Sequence, residues 1–229
     1  MRQKKHLLFL GIIVVLLLLD IISSQITNGV IQNAYRPYQG VVAVVDAGHG
    51  GKDDGARNGA IKEQELNLIF AKKVKERLEK LGMKVILTRS DDNDLARLDA
   101  TNRKREDMKQ RVAIINQKKV DFFISIHMNS YADSSVKGGQ LFYATNDSDS
   151  QYLASCIQQK LKEICRPMLE IKSADYYILK ESNKIGILWE CGFLSNPTEL
   201  EKLVEESYQD KLCDALVTGI LDFFKNVYE

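Results

Sequence analysis

The chain holds only three histidines, His6, His49 and His127, so where each one falls is informative. His6 belongs to a basic and apolar N-terminal stretch. His49 sits in the glycine-rich run DAGHGGKDDGA, which follows the apolar residues 41–46, and His127 closes the apolar run 120–127. Taken singly, either is more often a structural histidine than a ligand. Taken together, they stand just past the ends of two predicted strands, and in open α/β sheets the reactive crevice forms beyond the carboxyl ends of the strands. Two imidazoles delivered to one edge are candidate zinc ligands. Catalytic zinc commonly keeps three protein ligands and one open position, and Glu63, at the start of the helix after the glycine loop, can supply a carboxylate at that edge. The competing reading is a carboxylate that only offsets the helix dipole. Glu190 ends the apolar run IGILW, where an acid with no positive group facing it would be costly.

Other residues with chemical potential are less specific. Asn129, two past His127, could bind substrate or simply start a loop. Arg89 and Arg111 could meet carboxylates of a substrate, or lie on solvated faces. Gly50 and Gly51 lack the pattern of a phosphate loop, and their expected role is to let the backbone pass close to a metal.

These residues must be positioned by regular elements. Apolar runs at 41–46, 84–88, 120–127, 139–145, 176–179 and 185–190 are read as strands. Helical spacing of apolar residues marks helices over 63–81 (Leu66, Phe70, Val74, Leu78, Leu81), 103–118, 149–165 and 208–227 (Tyr208, Leu212, Leu216, Ile220, Phe224). Strand and helix alternate, which predicts an α/β fold: a single domain with a largely parallel central sheet flanked by helices on both faces.

With the elements in place, four stretches in order, DAGHGG (46–51), EQELNL (63–68), SIHMN (125–129) and ECGFLSN (190–196), resemble the signature blocks of the zinc-dependent N-acetylmuramoyl-L-alanine amidases of type 3. The resemblance spans residues 41–227. It implies one zinc ion per chain on His49, Glu63 and His127, with Glu190 as general base. The implied reaction is hydrolysis of the amide between N-acetylmuramic acid and L-alanine in peptidoglycan. Within the family, the short N-terminal segment, the absence of wall-binding repeats and the run RKREDMKQRVAIIN (103–116) are most similar to sporulation amidases. That implies action on spore cortex between the forespore and mother-cell membranes, coupled to a muramic acid deacetylase that completes muramic-δ-lactam. One departure is Asn183-Lys184-Ile185-Gly186, where a proline-containing entry to the last strand is expected. The alternatives are another zinc hydrolase of the wall, a peptidase or deacetylase, and a wall-binding module without activity.

Composition sets the remaining bounds. The 229 residues, 45% apolar and 28% charged, suffice for one well-buried domain. Residues 1–39 carry four basic residues and one acid of the 32 and 31 in the chain, leaving 28 and 30 in the rest. That balance offers no attraction to nucleic acid. The MRQKKH start and the thirteen uncharged residues 7–19 read as an export signal or membrane anchor over 1–25. Residues 26–39 read as a linker, and 40–229 as the catalytic domain. Cys156 and Cys165 fall in one predicted helix, two and a half turns apart, and point to opposite sides. All four cysteines are therefore expected to be free buried thiols. The chain is expected to be monomeric alone. An activating protein is a possible partner, since only 57 residues (128–184) separate the third ligand from the last strand, too few for an added blocking element.

Overall fold

The computed structural model of the protein describes residue 15, residues 17–24 and residues 37–228. Residue 15 and residues 17–24 are helical. Most of the proposed anchor and linker lies outside the described residues, and among those described no helix is long and apolar enough to cross a membrane.

Eight strands and six numbered helices follow. They are β1 (Val42–Ala47), β2 (Arg57–Asn58), β3 (Ile61–Lys62), α1 (Glu63–Lys80), β4 (Lys84–Leu87), α2 (Arg103–Ile115) and β5 (Phe122–Asn129). The chain continues with β6 (Gln140–Tyr143), α3 (Ser148–Ile164), β7 (Lys172–Ser173), α4 (Tyr177–Lys180), β8 (Ile185–Phe193), α5 (Pro197–Leu203) and α6 (Glu206–Tyr228). The main sheet has the order β4-β1-β5-β8-β6-β7. Its four strands from β4 to β8 are mutually parallel, and β6 runs antiparallel to β8. Helices cover both faces, so the α/β reading holds.

Alternation along the strands sorts residues between two layers of core. Ala43, Val45 and Ala47 of β1, Ile124 and Ile126 of β5 and Ile187 and Trp189 of β8 pack against α1, α3 and α6 through Phe70, Val74, Leu153, Ile157, Leu216 and Ile220. Val42, Val44, Phe123 and Leu188 face the other way, onto Ile115 of α2 and Ile178 and Leu179 of α4. The second layer is the thinner. Its parity also takes in Asp46, Ser125, His127 and Glu190, so the polar residues of three neighbouring strands share one face. β5 and β8 are paired with His127 opposite Glu190, and the register shifts immediately after, between His127 and Asn129.

The predicted strand at 176–179 is a correction: these residues form the short helix α4. Tyr-Tyr-Ile-Leu has strand-like composition, but the sheet edge beside β6 is already taken by β7. The chain instead closes helical bonds from Lys180 N to Tyr176 O and from Glu181 N to Tyr177 O, which turns Ile178 and Leu179 inward. The β2–β3 hairpin, β7 and α5 are further elements that periodicity does not reveal. For α5 a signal was present: Asn196 accepts at its side chain from Glu199 N, and Pro197 occupies the first turn. The four cysteines are free and buried.

Candidate metal centre

β1 ends at Ala47, and the chain leaves the sheet through Gly48 and His49. His49 has φ 60°, a left-handed conformation that costs a residue with a side chain of order 1–3 kcal/mol unless its surroundings impose it. The β2–β3 hairpin then turns the chain back, and Glu63 enters as the first residue of α1. Its carboxylate is 4% exposed and accepts from Ala56 N at 2.8 Å through Oε2, and from Asn67 Nδ2 at 3.2 Å and Met128 N at 3.2 Å through Oε1.

His49 Nε2 lies 3.1 Å from Glu63 Oε1, and His127 Nδ1 lies 2.9 Å from the same oxygen. The rings stand 4.9 Å apart, edge to face. One ligand atom from each of the three residues lies within 4.8 Å of the other two. Burial pushes the Glu63 carboxyl upward, but the two imidazoles outweigh it and hold it well below the usual carboxylate range. For His49, burial pulls the pKa down. Glu63 and Asp53 more than offset that and raise it. The second His49 nitrogen, Nδ1, meets Asp53 Oδ2 at 3.1 Å, which fixes the tautomer and turns Nε2 toward Glu63. Two imidazole nitrogens and one carboxylate oxygen, already converged, fit a zinc ion. Two glycines make the room: a Cβ at Gly48 would come within 2.2 Å of the His127 ring, and one at Gly55 within 2.4 Å of Glu63 Oε2.

The cluster opens into a cavity of about 350 Å³ between α2 and α4, where the second layer of the core is thin. His49 and His127 line it together with Glu190, Asp53, Lys104, Tyr176 and Tyr177. Glu190 Oε2 is shut off from solvent with no hydrogen-bond partner. Burial pushes this carboxyl up to about 7, with the His127 and His49 imidazoles opposing and Glu63 adding to the rise. A carboxylate poised near neutrality is suited to proton transfer.

The substrate contacts expected from sequence are placed differently. Asn129 ends β5 with its side chain accepting from Ser130 N at 2.8 Å, and it is not part of the cavity wall. Arg89 is 3% exposed, and its guanidinium is taken up by the carbonyls of Ala47, Gly48, Gln64 and Asp91. Arg111 lies at the cavity floor, 1% exposed, bound to Asp46 and Asp107. Sequence reasoning missed Asp53, although it lies four residues past His49 in the same loop. It also missed Tyr176 and Tyr177, hidden by the strand reading of their segment.

The profile of the family described as N-acetylmuramoyl-L-alanine amidase matches residues 43–222, from β1 into α6 and across all four site positions. The chain belongs to this family. Among amidases, it is 35% identical to the germination-specific N-acetylmuramoyl-L-alanine amidase of Bacillus subtilis strain 168, over 98% of this chain and 97% of that one. Several solved structures share the fold and more than a quarter of the sequence, two of them as follows. The CwlD amidase of Clostridioides difficile, solved in complex with the GerS lipoprotein, is 38% identical with a TM-score of 0.78, covering 81% of this chain and 99% of that one. An N-acetylmuramoyl-L-alanine amidase of Clostridium difficile 630 is 30% identical with a TM-score of 0.74, covering 83% and 100%.

Proposed function

We propose that this amidase uses a zinc ion on His49, Glu63 and His127 to cut the amide between N-acetylmuramic acid and L-alanine in spore-cortex peptidoglycan. The observation that carries the reading is the convergence of three ligand atoms within 4.8 Å at the carboxyl edge of the sheet. The family is typically zinc-dependent. When bound, zinc supplies Lewis acidity that acidifies water and polarises an amide carbonyl. His49, steered by Asp53, and His127, seated over Gly48, hold their ring nitrogens toward Glu63, which stays ionised between them. Glu190 takes the proton of the attacking water at its unpaired carboxylate and returns it to the L-alanine nitrogen as the carbon–nitrogen bond breaks. Such a role typically accounts for ~10²–10⁴ in rate.

A sporulation role is supported by the germination-specific name of the 35%-identical relative, and implies coupling to a deacetylase that completes the muramic lactam. The solved relative in complex with a lipoprotein supports an accessory partner for this chain as well. Residues 1–25 serve as anchor or export signal, 26–39 as tether and 40–229 as the catalytic unit outside the cytoplasm. The chain acts as a monomer apart from such a partner.

The deciding experiment treats purified peptidoglycan with the protein before and after chelation and zinc restoration, with mass spectrometry of the products. Free peptides with N-terminal L-alanine and intact sugar acetyl groups are expected only with metal. Full activity in a verified metal-free sample, or loss of acetyl groups instead, would refute the reading.

A further inference from the structure

The main chain that carries His49 is gripped by two guanidinium groups that the proposed chemistry leaves without a part. Three successive carbonyls, those of Ala47, Gly48 and His49, lie at or just past the end of β1, where its sheet pairing runs out. Each accepts from an arginine. Arg111 Nη1 donates to Ala47 O at 2.6 Å and Arg111 Nη2 to His49 O, while Arg89 donates to Ala47 O at 2.9 Å and to Gly48 O at 3.0 Å. Arg111 is itself immobilised. Its Nε donates to Asp107 Oδ2 at 2.8 Å and its Nη1 to Asp46 Oδ1 at 2.6 Å. Asp46 in turn accepts from Thr88 Oγ1 at 2.7 Å and Ser125 Oγ at 2.6 Å. All three guanidinium nitrogens are engaged with protein acceptors, although the side chain contributes to the cavity floor.

A buried ion pair of this kind contributes little net stability compared with an apolar packing of equal volume, because desolvation offsets the attraction. What it specifies is geometry. Only a rigid, planar fork presents N–H groups to two carboxylates and two carbonyls at once. That geometry matters at His49, whose left-handed backbone persists only where the surroundings impose it. Relaxation of His49 to an extended or right-handed conformation would swing its imidazole away from Glu63 Oε1, now 3.1 Å from Nε2.

We propose that Arg111 is a positioning residue for the metal centre: by holding the His49 carbonyl it keeps the His49 imidazole aimed at Glu63 and His127, and so sets metal affinity without touching metal or substrate. The proposal rests on the zinc site put forward above, and it replaces the substrate contact expected for Arg111 from sequence.

The test measures zinc affinity of the full-length chain by competition with a chromophoric chelator, together with the visible spectrum of the cobalt-substituted protein, whose bands report ligand geometry. Arg111→Lys keeps a positive charge between Asp46 and Asp107 but cannot also reach the His49 carbonyl. It is expected to bind zinc roughly ten- to a hundredfold more weakly, the usual range for losing a group that orients a metal ligand, and to shift the cobalt bands. Asp107→Asn leaves Arg111 in place and loosens one anchor at the rim of the network. It is expected to weaken zinc in the same direction by a smaller factor, and it decides the matter if Arg111→Lys fails to fold. Wild-type affinity and an unchanged cobalt spectrum in a folded variant would overturn the proposal and leave Arg111 to stability alone. A wild-type chain that takes up no zinc would remove the metal site itself, a failure visible before any substitution is made.

Discussion

Glu63 and Glu190 stand on neighbouring elements of one site, yet their ionisation differs because their partners differ. Glu63 lies between two imidazoles and accepts main-chain and Asn67 donors, so it stays a carboxylate despite burial. Glu190 has a buried oxygen with no partner, and burial pushes it up to about 7. The first environment suits a carboxylate that holds a cation, the second one that moves a proton. Glu190→Gln is therefore expected to retain zinc, because the ligands are untouched, while turnover drops at least ~10²-fold, because an amide of similar shape cannot accept the proton. Metal analysis and turnover on the same preparation check both halves. Near-normal turnover would remove Glu190 from the mechanism.

Among the elements, α3 and α6 set the thickness of the larger core layer, and they meet at Gly219. A Cβ there would fall 2.4 Å from Ile157 Cα and 2.9 Å from Cys156 O, both backbone atoms that no rotamer change can move. Helix propensity alone favours Ala over Gly by about 1 kcal/mol. The collision opposes that gain, and inserting a methyl group into a packed interface typically costs ~1–3 kcal/mol. Gly219→Ala is thus expected to lower stability by up to ~2 kcal/mol net, read as an earlier urea midpoint at unchanged slope. Zinc content should hold, since the metal cluster draws on other elements. A later midpoint would mean that the two helices can separate without cost.

At the scale of the whole molecule, β1 runs from Val42, just past Gly40, to the loop that carries His49, so the start of the strand and the candidate site lie at its opposite ends. Six residues of strand separate them by about 20 Å. On the proposed reading of residues 1–25 as an anchor, the domain stays with the membrane. Fractionation should find the full-length chain, Met1 included, with membranes; a soluble product lacking its N-terminus would show cleavage instead. The stretch between the third ligand and β8 is occupied by β6, α3, β7 and α4, and none of them plugs the cavity. The proposal is that control of activity lies with expression timing or an accessory partner, and that zinc is held weakly until the loops are ordered. Zinc stoichiometry after dialysis in trace zinc checks this: one tightly held ion with cortex-digesting activity, reached without any other protein, would sink the idea.

The sequence by itself determined the alternation of strands and helices, because burial of one helical face or both sheet faces writes a period into the chain. It also supplied the ligand types, since the glycine-rich loop after a strand, the glutamate opening a helix and the histidine closing a buried run are local patterns. What only the tertiary structure decided depends on partners distant in the chain. The pairing of β5 with β8 sets His127 opposite Glu190 across 63 residues. Occupation of the sheet edge by β7 made 176–179 a helix although its composition reads as strand. Arg89 and Arg111 look like solvated charges along the chain, and they are buried because carbonyls and carboxylates tens of residues away meet them in the fold. Local periodicity records how much of a side chain is covered, but not which polar group answers it.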